Sequence, residues 1–504
     1  MQRAHSNGFL ALLFIVLVLV PAFLIRLHPV TSESFSNDAI MSQQAAARGF
    51  AANAMDSGET LSARRGHPPL LSYIISMNNR LFGSDAFRAR LFSIIAGSIC
   101  CLVVSLSVTT ITSGLRSSLF GGLLGGWMIG LLPVHLYVSR SSNWDAVYSL
   151  LALCSLLFVS LYTTRRELRY LLAAGLFASL AFLTCEIGLL LFPVFVFALV
   201  RDFRVRPVPV VLREWLRLVL LVIAVVMVLW PAAVLKLHLY TTIRFRLLDS
   251  ATTARNLPWY MFYVHLFRQS PGFAILSLLG ISSFLFLPSM KRNMPGRGDG
   301  GTGTVFDMLI PFAIYVGAAF VVSLRNTLVH VHHIADMLPP LAVFLSCACV
   351  VAAEPLMRAG RAVLRVICLV ALALSLPAVL DDDPHTVGPQ EHPGFLGVRD
   401  YLGNHPGARS YYFYHSLMPY YLAGEHLEGE PPRYWTPEKV ARVKATPYDF
   451  VVSDWSMVSG NYPDIDALSR GLAPEYDLIH TVMHRRTGEP VAWIFERADS
   501  LRAQ

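Results

Sequence analysis

Charged residues are scarce in this chain. Asp, Glu, Lys and Arg make up 15% of its 504 residues, whereas hydrophobic residues make up 54%. The mean hydropathy is +0.52. So apolar a composition excludes an ordinary soluble enzyme. Runs of about 20 apolar residues are long enough to cross a bilayer, and the sequence therefore predicts an α-helical polytopic membrane protein.

Cysteine is absent beyond Cys368, and all seven cysteines lie within or beside apolar runs. This excludes a disulfide framework in the polar C-terminal tail. The Cys-x-Cys pattern at 347–349 lies inside an apolar run, where small packing residues are favoured over a metal site. Basic and aromatic residues do not interleave, so no nucleic-acid partner is indicated.

Eleven apolar runs are predicted to form transmembrane helices. They lie at 9–25, 91–112, 119–138, 145–163, 170–185, 187–200, 216–236, 271–289, 306–324, 337–353 and 365–380. The fifth and sixth runs are short, and an alternative interpretation is that they form one bent or re-entrant unit. For the first run the alternatives are a signal peptide and a retained anchor, and the anchor is favoured because the basic n-region is weak and no clear cleavage site precedes Arg26.

Lys and Arg in the short loops predict the orientation. With the N-terminus in the cytoplasm, the turns at 163–170, 201–217, 291–301 and 358–365 are cytoplasmic, and all are basic. The predicted domains are therefore a transmembrane domain at 1–380, with a first external loop at 28–90, and an extracytoplasmic domain at 381–504. The net charge of +8 is then mainly a topology signal.

The tail beyond 381 is polar enough to fold in water. Alternating patterns at 410–414, 448–455, 476–484 and 491–497 predict strands, and 436–445 predicts a helix with Thr436 as its N-cap. A small α/β domain is expected. It has neither a Gly-rich phosphate loop nor a nucleophile elbow, so a module that shapes or covers a site is favoured over an independent enzyme.

The first external loop concentrates acids and bases between apolar runs. Residues 38–55 have helical periodicity with Ala-rich faces, typical of a helix at the membrane surface. The stretch HPPLLSYIISMNNRLFG (67–83) has a stiff Pro-Pro start and an amphipathic body, and Ser84 is the expected N-cap of the segment that follows. The loop is predicted to present acidic and basic groups at the outer interface.

Two later polar groups lie at predicted external boundaries. Arg140 and Asp145 are costly there unless they are paired or functional. The stretch RNTLVHVHHIADMLPPL (325–341) brings Arg325, three histidines and Asp336 together. Histidines at 330, 332 and 333 leave two interpretations open, a metal site or interfacial hydrogen bonding. The sequence indicates no definite cofactor, and the alternative is that the protein binds a divalent metal.

Several segments, in this order, resemble polytopic GT-C glycosyltransferases. They are HPPLLSYI…RLFGSDAFRARL (67–91), SRSSNWDAVYSL (139–150), GLFASLAFLTCEIGLLLFPV (175–194) and HHIADMLPPLAVFL (332–345). The resemblance is to the branch of dolichyl-phosphate-mannose–protein mannosyltransferases and bacterial lipid-A aminoarabinose transferases. It covers roughly 10–350, and it implies a GT-C-like fold in a cell-envelope membrane, as in the bacterial inner (plasma) membrane.

The resemblance also implies site residues. Asp38 matches the acidic residue near the start of the first external loop, where it would be the catalytic base; its usual acidic neighbour is Asn37 here. His67, Arg140 and His332 match positions that face the donor phosphate. His332 replaces an Arg and Cys185 replaces a Lys, and these two lost cations leave Arg65, Arg140 and Arg325 as replacements. Asp145 and Arg90 are expected to support the site.

The implied activity is transfer of a sugar from a polyprenyl-phosphate donor to an extracytoplasmic lipid, glycan or protein acceptor. Cations stabilise the leaving phosphate, a carboxylate takes the acceptor proton, and direct displacement inverts the anomeric carbon. Two other classes stay open: a transporter or flippase of lipid-linked glycans, and a non-catalytic scaffold of envelope-glycan assembly. A transporter favours polar residues deep in the spans and repeated halves, and the sequence shows neither.

Overall fold

The computed structural model describes most of the apolar part of the chain and the core of its tail. The described residues are 12–27, 68–83, 88–140, 144–231, 266–267, 270–292, 302–325, 335–380, 395–403, 410–413, 426–428, 435–446, 448–454, 462, 464–483 and 490–499. The predicted surface helix at 38–55 lies outside these ranges. So do eight residues singled out in the sequence: Asn37, Asp38, Arg65, His67, Ser84, His330, His332 and His333.

The described apolar region is helical throughout. Its helices are α1 (Leu12–Leu27), α2 (Leu70–Phe82), α3 (Leu91–Ile111), α4 (Ser118–Gly130), α5 (Pro133–Arg140), α6 (Asp145–Arg165), α7 (Leu168–Thr184), α8 (Phe192–Val205), α9 (Val208–Leu229), α10 (Pro271–Arg292), α11 (Thr302–Arg325), α12 (Leu338–Ala353) and α13 (Arg358–Leu380). Every predicted apolar run overlaps one or two of these helices. Residues Glu186–Leu191 form a 3-10 turn between α7 and α8, so the fifth and sixth runs are two helices.

Five helices in the described ranges are long and apolar enough to cross a bilayer, or six when the bent pair α4–α5 is taken as one span. α1 and α7 are apolar but shorter. The first half of α9 carries Arg213, Glu214 and Arg217, which a bilayer interior disfavours. The described residues therefore show a multi-helix apolar body, and the number of eleven spans stays a prediction.

Small residues let α4 approach α3 closely. A Cβ at Gly122 would lie 2.3 Å from Thr109 Oγ1, and a Cβ at Gly126 would lie 2.2 Å from Ser105 Oγ. Apolar side chains gain little from association within lipid, so helices there rely on close backbone contact and van der Waals packing. The stretch GGLLGG at 121–126 provides that contact.

Asp202 is a fully buried carboxylate that joins three helices. It accepts hydrogen bonds from the hydroxyl of Tyr162 on α6 and, at 3.0 Å, from the indole N–H of Trp215 on α9. It also forms an ion pair with Arg166, which follows α6 in a left-handed conformation with φ of 57°. These three partners together satisfy a charge that would otherwise be very costly inside the fold.

A second ion pair lies beside this carboxylate. Arg206 donates two hydrogen bonds of 2.7 Å to the two carboxylate oxygens of Glu214, a bidentate arrangement. The Glu214 carboxylate raises the pKa of Arg206 above its ordinary value. Arg206 also donates to the Tyr162 hydroxyl at 3.2 Å, so the two pairs form one network across the ends of α6, α8 and α9.

The tail contains one mixed sheet flanked by helices. Its strands are β1 (Ser410–Phe413), β2 (His426–Glu428), β3 (Phe450–Asp454), β4 (Tyr476–Met483) and β5 (Pro490–Arg497), and its helices are α14 (Phe395–Gly403), α15 (Pro437–Ala445) and α16 (Ile465–Leu472). The strand order is β2-β1-β3-β5-β4. The first three strands are parallel, and β5 is antiparallel to both of its neighbours.

Capping residues set the helix starts in the tail. The Thr436 hydroxyl accepts from the Lys439 N–H at 3.4 Å, as predicted. α16 was not predicted, although Asp464 caps it by accepting from the Ala467 N–H at 2.7 Å. The four predicted strands are present, and β2 is additional. The predicted domain boundary at 381 lies outside the described ranges and stays a prediction.

The Asp202 network predicts a specific stability loss. Replacing Asp202 with Ala leaves Arg166, Tyr162 and Trp215 without their shared acceptor. We expect a loss of about 3 kcal/mol in the free energy of unfolding, because the half-buried Arg166 loses its ion-pair partner and two hydrogen-bond donors lose their acceptor. Thermal unfolding in detergent measures it. Glu167→Gln is the control: its pair with Arg169 is exposed, and exposed pairs contribute about 0–1 kcal/mol. Equal losses in the two variants would refute this role.

Candidate functional site

Arg26 lies in the last turn of α1 and is fully buried. Its Nη1 donates to the Ala22 carbonyl at 3.0 Å, so the side chain folds back along its own helix. Its Nη2 lies 3.4 Å from Cys101 Sγ on α3 and 2.8 Å from His135 Nδ1 on α5. A buried guanidinium must meet hydrogen-bond acceptors, and these contacts anchor the end of α1 to two other helices.

α5 reaches α1 because the chain bends before it. The sequence predicted one span at 119–138, but α4 and α5 meet at 63°. Pro133 begins α5, and proline has no N–H to continue the hydrogen-bond ladder of α4. The bend turns the polar residues of α5 towards the end of α1: Arg140 Nη2 donates to the Ile25 carbonyl at 2.8 Å. A cation is favourable at a helix C-terminus, where carbonyl groups lack partners.

Gly97 on α3 makes room for this cluster. A Cβ at this position would lie 2.1 Å from Ser139 Oγ and 3.1 Å from Arg26 Nε. Ser139 in turn donates from its hydroxyl to the His135 carbonyl at 2.5 Å. We call Arg26, Gly97, His135, Ser139 and Arg140 the α1-end cluster. It combines two guanidinium groups and one imidazole at the C-terminal end of the first helix.

Two buried carboxylates lie at the start of α6 and just before α12. Asp145 is the first residue of α6 and Asp336 precedes α12, and the two are close enough to interact electrostatically. Asp336 Oδ1 accepts from the Ser149 hydroxyl at 3.1 Å. Nearby, the hydroxyls of Tyr148 and Tyr315 are 2.9 Å apart. The position of Asp145 fits the preference of acids for helix N-termini.

The structure describes only some of the predicted site residues. Arg140 and Asp145 lie in the clusters just described, and Arg90 is buried at the start of α3. Arg325 ends α11, and its side chain is outside the described part. Asp38, Arg65, His67 and His332 lie outside the described residues, so their roles stay predictions. The pairing of Arg140 with Asp145 also stays a prediction.

Three residues with charged or imidazole side chains in these clusters were missed as site residues. Arg26 was taken as a flank of the first apolar run, and His135 as part of a continuous span. Asp336 was noted in a polar stretch without a role. A signal was present for two of them, because an Arg or a His within apolar sequence needs a partner. Among the described residues, no group of three His, Cys, Asp or Glu is placed to hold a metal.

Comparisons with known proteins agree with the predicted resemblance. The family model described as dolichyl-phosphate-mannose-protein mannosyltransferase matches residues 66–230. That range includes α5, Arg140 and Asp145, and it is about a third of the chain. A search of the curated proteins found no matching sequence.

Solved structures match over almost the whole chain. ArnT from Cupriavidus metallidurans bound to undecaprenyl phosphate has a TM-score of 0.58 at 16% identity, covering 97% of this chain and 98% of that one. Its apo state gives a TM-score of 0.60 at 14% identity with the same coverage. The oligosaccharyltransferase AglB from Archaeoglobus fulgidus, with an inhibitory peptide and a dolichol-phosphate, gives 0.53 at 14% identity, covering 96% and 74%. The chain therefore has the GT-C fold.

The close approach at Gly97 predicts a local stability loss. Gly97→Ala places a methyl group against Ser139 and Arg26, and overpacking of this kind costs about 1–3 kcal/mol. We expect a lower unfolding temperature in detergent. Gly317→Ala is the matched control, because a Cβ there meets nothing within 4 Å and alanine is the better helix former. A Gly97→Ala variant as stable as Gly317→Ala would contradict the observed packing.

Proposed function

We propose that this protein is a membrane glycosyltransferase that takes its sugar from a polyprenyl-phosphate donor. The observation that carries the proposal is the α1-end cluster, where Arg140, which is half-buried, donates at 2.8 Å to the Ile25 carbonyl, next to the fully buried Arg26. The two guanidinium groups carry positive charge, which suits a phosphate headgroup. The GT-C fold supports the proposal, since ArnT and AglB were solved with undecaprenyl phosphate and dolichol-phosphate.

The chemistry assigns a separate role to each type of residue. The bond between the anomeric carbon and the donor phosphate oxygen breaks, and the lipid leaves as a phosphate anion. Arg140 stabilises that charge, together with Arg65, His67, Arg325 and His332. The acceptor oxygen or nitrogen forms the new bond, and its proton passes to Asp38. A single displacement inverts the anomeric configuration.

The donor sets the location of the reaction. The polyprenyl chain stays in the bilayer, so its headgroup reaches protein at the membrane interface. Alternate basic turns favour a cytoplasmic N-terminus, and the acceptor and the domain at 381–504 would then be extracytoplasmic. In a bacterium this is the outer face of the inner membrane. The five-stranded sheet of the tail supports a folded domain there.

Arg140 is expected to govern affinity for the donor. Arg140→Ala removes a charge-assisted hydrogen bond to phosphate, and we expect the dissociation constant for undecaprenyl phosphate to rise roughly 10- to 100-fold. Native mass spectrometry of the purified protein measures binding. Arg140→Lys separates a point charge, which Lys retains, from a bidentate contact, which it loses. Arg169→Ala is the control, because Arg169 is 69% exposed and pairs with Glu167. Unchanged binding by Arg140→Ala would remove Arg140 from the donor site.

Asp38 is expected to govern the rate of transfer. The alternative role of Asp38, at the start of the helix predicted at 38–55, is that of an N-cap, and Asn caps a helix about as well as Asp but takes no proton. We therefore expect Asp38→Asn to fold normally and to lose roughly 10²–10⁴-fold in transfer rate. Sugar transfer and thermal unfolding are measured on the same preparation, with Glu33→Gln as the control. Transfer at the parent rate would leave Asp38 as a cap and direct the search for the base to three other carboxylates of the first external loop, Glu33, Asp56 and Glu59.

A further inference from the structure

Arg26 is a cation without a carboxylate partner in the described part of the chain. Its terminal nitrogens donate to the Ala22 carbonyl and contact Cys101 Sγ and His135 Nδ1. All of these partners are neutral or weak acceptors. A buried charge is usually retained with a counterion or a functional reason. Its strongest contact outside α1 is the one to His135, and that contact determines what His135 does.

The Arg26 contact fixes the chemical state of His135. A guanidinium has only donors and does not lose its proton in proteins. His135 Nδ1, at 2.8 Å, must therefore be the acceptor, and its proton must lie on Nε2. A second proton on the ring would replace this hydrogen bond with repulsion between two cations. His135 is accordingly a neutral acceptor whose orientation is set by Arg26.

His135 is rigidly connected to Arg140. Both lie on α5, an eight-residue helix that the bend at Pro133 separates from α4. Ser139, one turn after His135, donates to the His135 carbonyl. Arg140 is the next residue, and its own anchor is the carbonyl of Ile25, the neighbour of Arg26. Two adjacent residues of α1 thus hold the two ends of one short helix.

We infer that Arg26 and His135 are positioning residues that hold Arg140 in place for the donor phosphate; this rests on the proposed function. Neither side chain needs to touch the lipid, and both are fully buried. Their contact fixes the start of α5 against α1, so the guanidinium of Arg140 at the other end keeps one position. Without this contact α5 can shift at the Pro133 bend, and preorganisation of Arg140 is lost.

A double-mutant cycle tests whether the pair acts through Arg140. The dissociation constant for undecaprenyl phosphate is measured for His135→Leu in the native background and in Arg140→Ala. We expect about a tenfold loss in the native background and no further loss with Arg140→Ala, because the two residues serve one contact. His135→Gln should bind like the parent, since its amide oxygen can still accept from Arg26. Equal losses in both backgrounds, or a Gln variant as weak as Leu, would overturn the inference.

A second variant separates positioning from folding. Arg26→Met with His135→Leu removes both polar partners, and replacing a buried polar pair with apolar residues is often neutral for stability. We expect normal thermal unfolding but the same tenfold loss in donor affinity. Parent affinity in this stable variant would overturn the inference and leave the donor site intact. If the parent protein itself binds no polyprenyl phosphate, the proposed function fails, and the inference fails with it.

Discussion

A bilayer interior does not solvate charge, and every charged side chain within an apolar helix must find its partners inside the protein. In this chain that requirement decides which helices meet. The buried Arg26 draws α5 onto the end of α1 and against α3. The buried Asp202 joins α6 to α9 through Tyr162 and Trp215. Apolar contacts and close glycine packing then fill the space between these fixed points.

The two kinds of polar cluster lie at opposite ends of α6. This helix has 21 residues, about 30 Å at 1.5 Å per residue, and it begins at Asp145 and ends beside the Asp202 network. At that network the carboxylates meet guanidinium groups, so the charges compensate one another. At the end of α1, Arg26 contacts a carbonyl, a thiol and an imidazole, and Arg140 donates to the Ile25 carbonyl. The buried carboxylate of Asp145 begins α6 at this end of the helix.

The sequence predicted the helices well because a long, continuous apolar run indicates a membrane helix without reference to the rest of the chain. It also predicted four strands and the cap at Thr436. It missed the break between α4 and α5, although Pro133 marks it, because the apolar run continues through the bend. β2 was not predicted, because its three residues are too few to show the alternation of apolar and polar side chains that indicates a strand. The Asp464 cap of α16 was a visible signal that was not used.

The site was harder to predict than the fold. Arg140 and Asp145 were chosen because charges at a span boundary are costly. The importance of Arg26 and His135 depends on a contact between residues far apart in the chain, which periodicity does not reveal. The assignment of Asp38 as the base depends on the resemblance to a family and stays a prediction, because the local pattern also fits a helix cap.

Sugar transfer by the purified protein is the most direct measurement. The protein is reconstituted in liposomes with radiolabelled polyprenyl-phosphate sugars, one at a time, and an envelope extract as the source of acceptor. Label should move from at least one donor to the acceptor, with free polyprenyl phosphate released in equal amount. Tight donor binding without turnover of any sugar would contradict catalysis and indicate a non-catalytic scaffold. Movement of intact donor between leaflets without cleavage would indicate a flippase.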